Sequence, residues 1–153
     1  MDSDGTSLDI QPGNAALAAL ERRCFDDPWT AEDYARLRGN PGAVAWILRD
    51  GARSALGFVC MQQAGGELEI YRIAVAPEQR RKGRARRLLG EVIMHAAREG
   101  LRQVFLEVRA GNAAARGLYT AMGFEQAALR KGYFKHPPED ALVYRCIPAG
   151  KKD

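Results

Sequence analysis

The chain has 153 residues, 46% of them hydrophobic and 27% charged, the proportions of one globular domain with a core of its own. No stretch approaches the roughly 20 apolar residues of a membrane span. The acidic start Met1-Asp2-Ser3-Asp4 lacks the basic and apolar parts of a secretory leader, so a cytoplasmic protein without a membrane partner is expected. The net charge of +4 has a local origin, because Arg80, Arg81, Lys82, Arg84, Arg86 and Arg87 place six cations within eight residues. One phosphate-bearing ligand docked there accounts for the excess, and no direct nucleic-acid binding is required. Cys24, Cys60 and Cys146 are odd in number and far apart, which suits reduced thiols. His95 and His136 show no ligand spacing with them, so no metal is expected.

In chain order, residues 1–12 read as an N-terminal extension that includes the start of a short strand near Ser7–Gln11. Residues 13–148 read as a single domain, and 149–153 as a charged tail. Asn14 is placed to cap a first helix carrying Leu17, Leu20, Cys24 and Phe25 at helical spacing. Asp27-Pro28-Trp29-Thr30 breaks it. Thr30 with Asp33 at its third position predicts a capping box for a second helix, which Gly39-Asn40-Pro41-Gly42 ends. Strands are predicted over Ala43–Arg49, Ala55–Gln63 and Glu67–Val75, the last two joined at Gly65-Gly66. A long helix follows from about Gly83 to Glu99, with Leu88, Leu89, Val92, Ile93 and Ala96 as its apolar stripe and Gly100 as its stop. Gln103–Arg109 reads as a strand and Asn112–Met122 as a short helix. Phe124–Lys131 and Ala141–Cys146 read as the closing strands. This order points to one mixed α/β sheet with helices on both faces.

The third long strand is irregular. Leu68 and Ile70 are apolar on one parity, Ile73 and Val75 on the other. Either both faces are buried, or one residue is inserted near Tyr71 or Arg72 as a β-bulge that bends the strand away from its neighbour.

Strand Ile73-Ala74-Val75 leads through Pro77 into Arg80-Arg81-Lys82-Gly83-Arg84-Ala85, where the long helix opens. A helix start presents unpaired N–H groups and the positive end of the dipole to an anion. Gly83 can take φ > 0 and lets a pyrophosphate approach the backbone, and Ala85 is small enough for the same approach. A solvated basic helix start or an RNA-binding patch is the plainer reading of such a run. The G-x-x-x-x-G-K-S/T and G-x-G-x-x-G spacings of other phosphate loops are absent.

The loop resembles the R/Q-x-x-G-x-G/A motif of the GNAT superfamily of acyl-CoA-dependent N-acyltransferases, with Arg80, Gly83 and Ala85 in its fixed positions. Downstream, Leu106-Glu107-Val108-Arg109, Asn112, Ala115, Leu118-Tyr119 and Gly123-Phe124 are similar to the L-E-V-R-x-x-N-x-x-A-x-x-L-Y-x-x-x-G-F string of the RimI-type alanine N-acetyltransferases. Phe25 with Pro28-Trp29-Thr30, Arg130–Phe134 and Glu139-Asp140-Ala141 extend the likeness, which covers most of residues 20–146. The resemblance implies a GNAT-like mixed seven-stranded sheet flanked by about four helices, with a bulged central strand. It also implies acetyl-CoA as co-substrate, and a protein N-terminus as acceptor. In that family the acceptor is the N-terminal alanine of the eighteenth protein of the small ribosomal subunit.

By the same resemblance Glu107 matches a general base, Tyr119 a general acid, and Asn112 the residue that bonds the pantetheine arm. Glu107 lies between Leu106 and Val108 in an expected central strand, where a charge needs a reason. Glu69 is a rival base, at the position used by the histone-acetylating branch of the superfamily. Cofactor contacts are expected from Ile73, Ala74, Val75, Arg80, Arg81, Lys82, Gly83, Arg84, Ala85, Arg86, Asn112 and Tyr119. Acceptor contacts are expected from Trp29, Tyr34, Tyr133 and Phe134, with Asp26, Asp27, Glu67 and Glu69 available to a basic peptide. The arm is expected to pair with the backbone near Ile73 and Val75 like an added strand, and a backbone N–H there to polarise the thioester. Direct transfer in a ternary complex is expected, since no cysteine lies beside a candidate base.

An α-amine, with pKa near 7.7–8.0, is about 3.4 kcal/mol easier to deprotonate than a lysine near 10.4. A carboxylate base therefore suits it, although lysine side chains and small amines remain the alternative acceptors. A CoA- or RNA-binding module without catalysis is the reading from another class. The chain departs from the family at Arg72, where many relatives have Asn, at Gly111 for a common Ser, and at Phe134 for a common Tyr. Substrate preference is what these departures put in question.

Overall fold

A computed structural model of the protein describes residues 4–148; the predicted tail 149–153 lies outside the described residues. The elements run β1 (Ser7–Asp9), α1 (Asn14–Cys24), α2 (Ala31–Arg38), β2 (Ala43–Arg49), β3 (Ala55–Ala64), β4 (Glu67–Val75), a 3-10 turn (Pro77–Gln79), α3 (Arg84–Arg98), β5 (Gln103–Arg109), α4 (Ala113–Ala121), β6 (Glu125–Lys135) and β7 (Pro138–Cys146). The seven strands form one mixed sheet in the order β1-β2-β3-β4-β5-β7-β6. Within it β4 pairs with β5 in parallel. Among the described residues no helix is long and apolar enough to cross a membrane.

Contacts divide the chain into two compact units. Among the described residues, one comprises those up to Gln63 together with Arg72–Leu88, the other Ala64–Tyr71 together with those from Leu89 to residue 148. The first unit is built on Leu17, Leu20, Tyr34, Ala45, Ile47, Phe58, Cys60 and Ala76. Edge-to-face rings run from Phe25 to Phe58, from Phe58 to Tyr34 and from Tyr34 to Trp29. Thr30 and Asp33 form the expected capping box at the head of α2. Asn14 does not cap α1: Gly13 holds that position without a side-chain bond. The Asn14 Oδ1 instead accepts from Arg38 Nη1 at 2.9 Å, the same nitrogen that donates to the Pro12 carbonyl. A guanidinium from 24 residues away takes the acceptor that a local reading assigns to the helix.

In the second unit the sheet has one buried and one half-open face. Leu68 pairs with Val104 and Ile70 with Leu106. Leu106 also pairs with Tyr144 and Val108 with Leu142, and all of these are buried. Glu69, Phe105, Glu107 and Arg109 take the alternate positions and are only half-buried, as the two-residue period requires. The β4–β5 ladder ends at Ile70 and Leu106. Val75 is then buried on the parity opposite to Leu68 and Ile70, the change that an inserted residue near Tyr71 or Arg72 produces.

β6 and β7 are longer than their sequence suggests. Gly132 breaks the pattern with φ +60, yet its N–H bonds Asp140 Oδ1 at 2.8 Å. After this register shift the ladder resumes at Phe134 and Glu139.

Candidate active site

The first unit carries the anion cradle. β4 runs through half-buried Ile73 and Ala74 to buried Val75, and the turn Pro77–Gln79 follows. Arg81 at φ +64 and Gly83 at φ +77 then set the chain into α3. Gly83 is required by that φ and not by crowding, because a Cβ there would meet open space. Arg81 adopts the same region with a side chain, a conformation that costs about 1–3 kcal/mol and collects at ligand sites. Helix onset at Arg84 leaves the first-turn amides without carbonyl partners inside the helix. Arg81, Lys82 and Arg86 are exposed around the turn, and Ala85 is half-buried. Arg80 behaves differently: its Nε donates to the Val75 carbonyl at 3.1 Å, which ties the turn back to β4.

Two polar atoms of this turn are buried without a partner among the described residues, Gln79 Oε1 and Arg84 Nε. Native proteins rarely tolerate such atoms unless something else meets them. A buried guanidinium nitrogen without an acceptor, beside a helix N-terminus and two left-handed residues, fits a pyrophosphate group.

The second unit carries the ionisable groups. Glu69 pairs in register with Phe105 and Glu107 lies two residues further along β5, so both carboxylates project from the half-open face. Arg130 shares that face, since it pairs with Ala141, which pairs with Arg109. Its Nε lies 3.9 Å from Glu107 Oε2. This is an ion-pair distance too long for a hydrogen bond, and Oε2 is buried with no hydrogen-bond partner among the described residues. Desolvation and the nearby Glu107 charge raise the Glu69 carboxyl above its ordinary range, against the opposing pull of Arg130. The exposed Tyr133 phenol is raised as well, chiefly by the Glu107 charge. The group is therefore two like charges held together, one of them offering an unmet acceptor.

Tyr119 occupies the opposite face. It is buried on α4 against Phe124 and against Tyr144, whose ring centroid is 6.1 Å away. Tyr144 pairs with Leu106 on the buried side of the sheet. Burial alone pushes the Tyr119 phenol up to about 12, so it keeps its proton at ordinary pH. Asn112 caps α4, its Oδ1 accepting from the Ala115 N–H at 3.1 Å. With the oxygen occupied, its amide N–H₂ is the side left to face a ligand.

The four expected acceptor residues separate. Trp29 is half-buried in the first unit. Tyr34 is fully buried, and its hydroxyl donates to Glu21 Oε2 at 2.6 Å. The expectation that Tyr34 touches the acceptor is therefore corrected: it packs the core beneath Trp29. Tyr133 is exposed on the Glu107 side, while Phe134 lies under the Arg109 guanidinium at 4.2 Å. Arg109 in turn reaches Glu139 Oε1 at 3.2 Å, and Glu139 Oε2 accepts the Gly111 N–H at 2.6 Å. A Cβ at Gly111 would stand 2.7 Å from that oxygen, so the Glu139 carboxylate would have to shift to admit a side chain there.

Four residues escaped the sequence reading in these roles. Arg130 needs the β5–β7–β6 register to come near Glu107. Gln79 and the orphaned Nε of Arg84 need a folded turn. Glu21 lies in α1 beside Leu17, Ala18 and Leu20 and is fully buried. A carboxylate on that apolar stripe was the available signal.

Comparison with known proteins bears on the family and the fold. The model of the "Acetyltransferase (GNAT) family" matches residues 14–124. The [Ribosomal protein bS18]-alanine N-acetyltransferase of Escherichia coli K12 is 32% identical over 126 residues, 81% of this chain and 84% of its own. The N-alpha-acetyltransferase RimI of Mycobacterium tuberculosis is 34% identical over 134 residues, 84% of this chain and 82% of its own. The crystal structure of the ribosomal-protein-S18-alanine N-acetyltransferase from Escherichia coli superposes with a TM-score of 0.84 at 27% identity, covering 94% of each chain. The shared fold, the family-model match and sequence likeness over more than four-fifths of the residues have one conclusion: the chain belongs to the GNAT family of N-acetyltransferases.

Proposed function

We propose that this acetyltransferase modifies the N-terminal α-amine of a protein, with the N-terminal alanine of a small-subunit ribosomal protein as its substrate. The observation that carries the catalytic part is Glu107, whose Oε2 is buried without a hydrogen-bond partner among the described residues and whose charge raises the Glu69 carboxyl and, with a hydrogen bond, the Tyr133 phenol. The choice of acceptor rests on likeness to the Escherichia coli enzyme named for that substrate.

The GNAT family uses acetyl-CoA, which when bound supplies an activated acetyl group and a thiolate leaving group. In this chain the first-turn amides from Gly83, the Arg84 guanidinium and the exposed cations Arg81, Lys82 and Arg86 would hold its phosphates. The Ile73–Val75 backbone would pair with the pantetheine arm like an added strand. Glu107 accepts the proton of the acceptor ammonium, directly or through a water, which leaves a neutral amine. Tyr119 keeps its proton on Oη and donates to the departing sulfur. With the phenol at about 12 and an ordinary thiol near 8.5, complete transfer is uphill, so Tyr119 acts as a hydrogen-bond donor and solvent completes the protonation. Glu107 and Tyr119 lie on opposite faces of the sheet.

A specific observation also supports Glu69 as the proton acceptor: desolvation and the Glu107 charge raise its carboxyl, the direction that suits a general base. Arg130→Gln tests this role. Arg130 lowers the Glu69 carboxyl, so its loss raises that group further and leaves less of it deprotonated in acid. The acid limb of the kcat/KM profile is expected to move to higher pH, and an unmoved limb would remove Glu69 from the rate-governing ionisation.

The function itself is tested by mass spectrometry of peptides incubated with acetyl-CoA. Free N-termini, Ala-Arg starts among them, are expected to gain one acetyl group. The same peptides with blocked N-termini and an internal lysine are expected to gain none. Equal acetylation of the blocked set would transfer the assignment to lysine.

A further inference from the structure

Outside the reacting groups, the first unit holds a buried polar cluster that the chemistry above does not use. Glu21 on α1 is fully buried, and a buried carboxylate survives only with partners. Three donors meet it: the Trp29 N–H at 3.0 Å, the Tyr34 hydroxyl at 2.6 Å and Arg72 Nε at 3.1 Å. Arg72 projects from β4 directly before Ile73. Its guanidinium stands 4.3 Å from the Phe25 ring centroid and 4.4 Å from that of Trp29. Its Nη2 donates to the Asp27 carbonyl at 3.3 Å. One side chain thus engages the Asp27–Thr30 loop through a carbonyl and a ring, and reaches that loop a third time through the carboxylate that binds the Trp29 amide. Trp29 also lines an open cavity of about 470 Å³ with Asp33, Arg36, Leu37 and Asn40.

We propose that Arg72 is a positioning residue for the acceptor: braced on buried Glu21 and held between Phe25 and Trp29, it fixes the loop at Trp29 as a rigid wall for the incoming polypeptide. This inference rests on the proposed function for the identity of the acceptor. A planar, forked, always-charged group is needed, since lysine can neutralise Glu21 but cannot stack on two rings and reach a carbonyl at once. An asparagine at this position would be too short for any of these contacts, so the departure at Arg72 is a change in how the wall is held.

Arg72→Lys keeps the charge and is the first test. The double variant Glu21→Gln with Arg72→Met removes both charges and keeps the fold testable if lysine is poorly tolerated. Hydrogen exchange at the Trp29 amide reads the loop without reference to any substrate and is expected to quicken about tenfold or more in both variants. Acceptor-peptide KM is expected to rise about tenfold, a factor worth about 1.4 kcal/mol, while kcat and acetyl-CoA KM stay within about twofold. Unchanged Trp29 exchange in both folded variants would overturn the proposal, as would acetyl-CoA KM rising in step with peptide KM. Wild-type protein inactive on free N-termini would count against the proposed function instead, and the exchange measurement would still decide the role of Arg72.

Discussion

Glu107→Gln is expected to lower kcat by about 10²–10⁴-fold, the usual contribution of a positioned general base, with acetyl-CoA KM nearly unchanged. The amide keeps the shape of the carboxylate but accepts no proton, and binding that is equal in ground and transition states would be untouched. Glu69→Gln is expected to cost less, because its carboxyl is raised partly by the Glu107 charge and in this reading supports that group. The reverse ranking in steady-state kinetics would make Glu69 the base. Tyr119→Phe keeps the ring against Phe124 and Tyr144 and deletes only the donor. A hydrogen bond to a charged partner is worth about 1.5–3 kcal/mol, so a kcat loss of about 10–100-fold is expected. Acetyl transfer unaffected by both Glu107→Gln and Tyr119→Phe would remove these two roles together.

The largest effect on stability is expected at Arg72→Met. This change leaves the Glu21 carboxylate fully buried without its counter-ion, and breaking a buried pair from one side costs about 3–5 kcal/mol. The Arg72 side chain is 21% exposed, so water can reach part of the gap and the lower end, about 3 kcal/mol, is expected. For a chain of this length each kcal/mol lowers Tm by about 2–4 °C, which gives a fall of roughly 6–12 °C by calorimetry. Adding Glu21→Gln to the same chain is expected to restore most of the loss, since the amide oxygen still accepts a hydrogen bond and no charge is stranded. A double variant no more stable than the single one would place the energy in the ring stacking instead of the ion pair.

What could be read ahead of the structure was local. The bounds of β2, β4 and β5 follow from alternation and turn residues only a few positions apart. The capping box at Thr30 and Asp33 needs a spacing of three, and the left-handed Gly83 before α3 needs only a glycine between a strand end and an apolar stripe. The turn at the head of α3 was therefore legible as geometry. Asn14 shows where such reading breaks down: its cap geometry is correct on a local view, yet Arg38 supplies a charged competitor from another helix.

By itself, the sequence determined strands β2, β4 and β5, the left-handed glycine before the onset of α3, and the family to which these motifs belong. Tertiary structure decided what depends on register and burial. Pairing across β4, β5, β7 and β6 brings Arg130 to Glu107 and sends Glu107 and Tyr119 to opposite faces. Packing of α1 against α2 turns Tyr34 from an expected contact residue into a buried donor and makes Glu21 the anchor of Arg72. Periodicity gives the side a residue takes within its own element, whereas the groups it meets there come from segments tens of residues away, and only the folded chain brings them together.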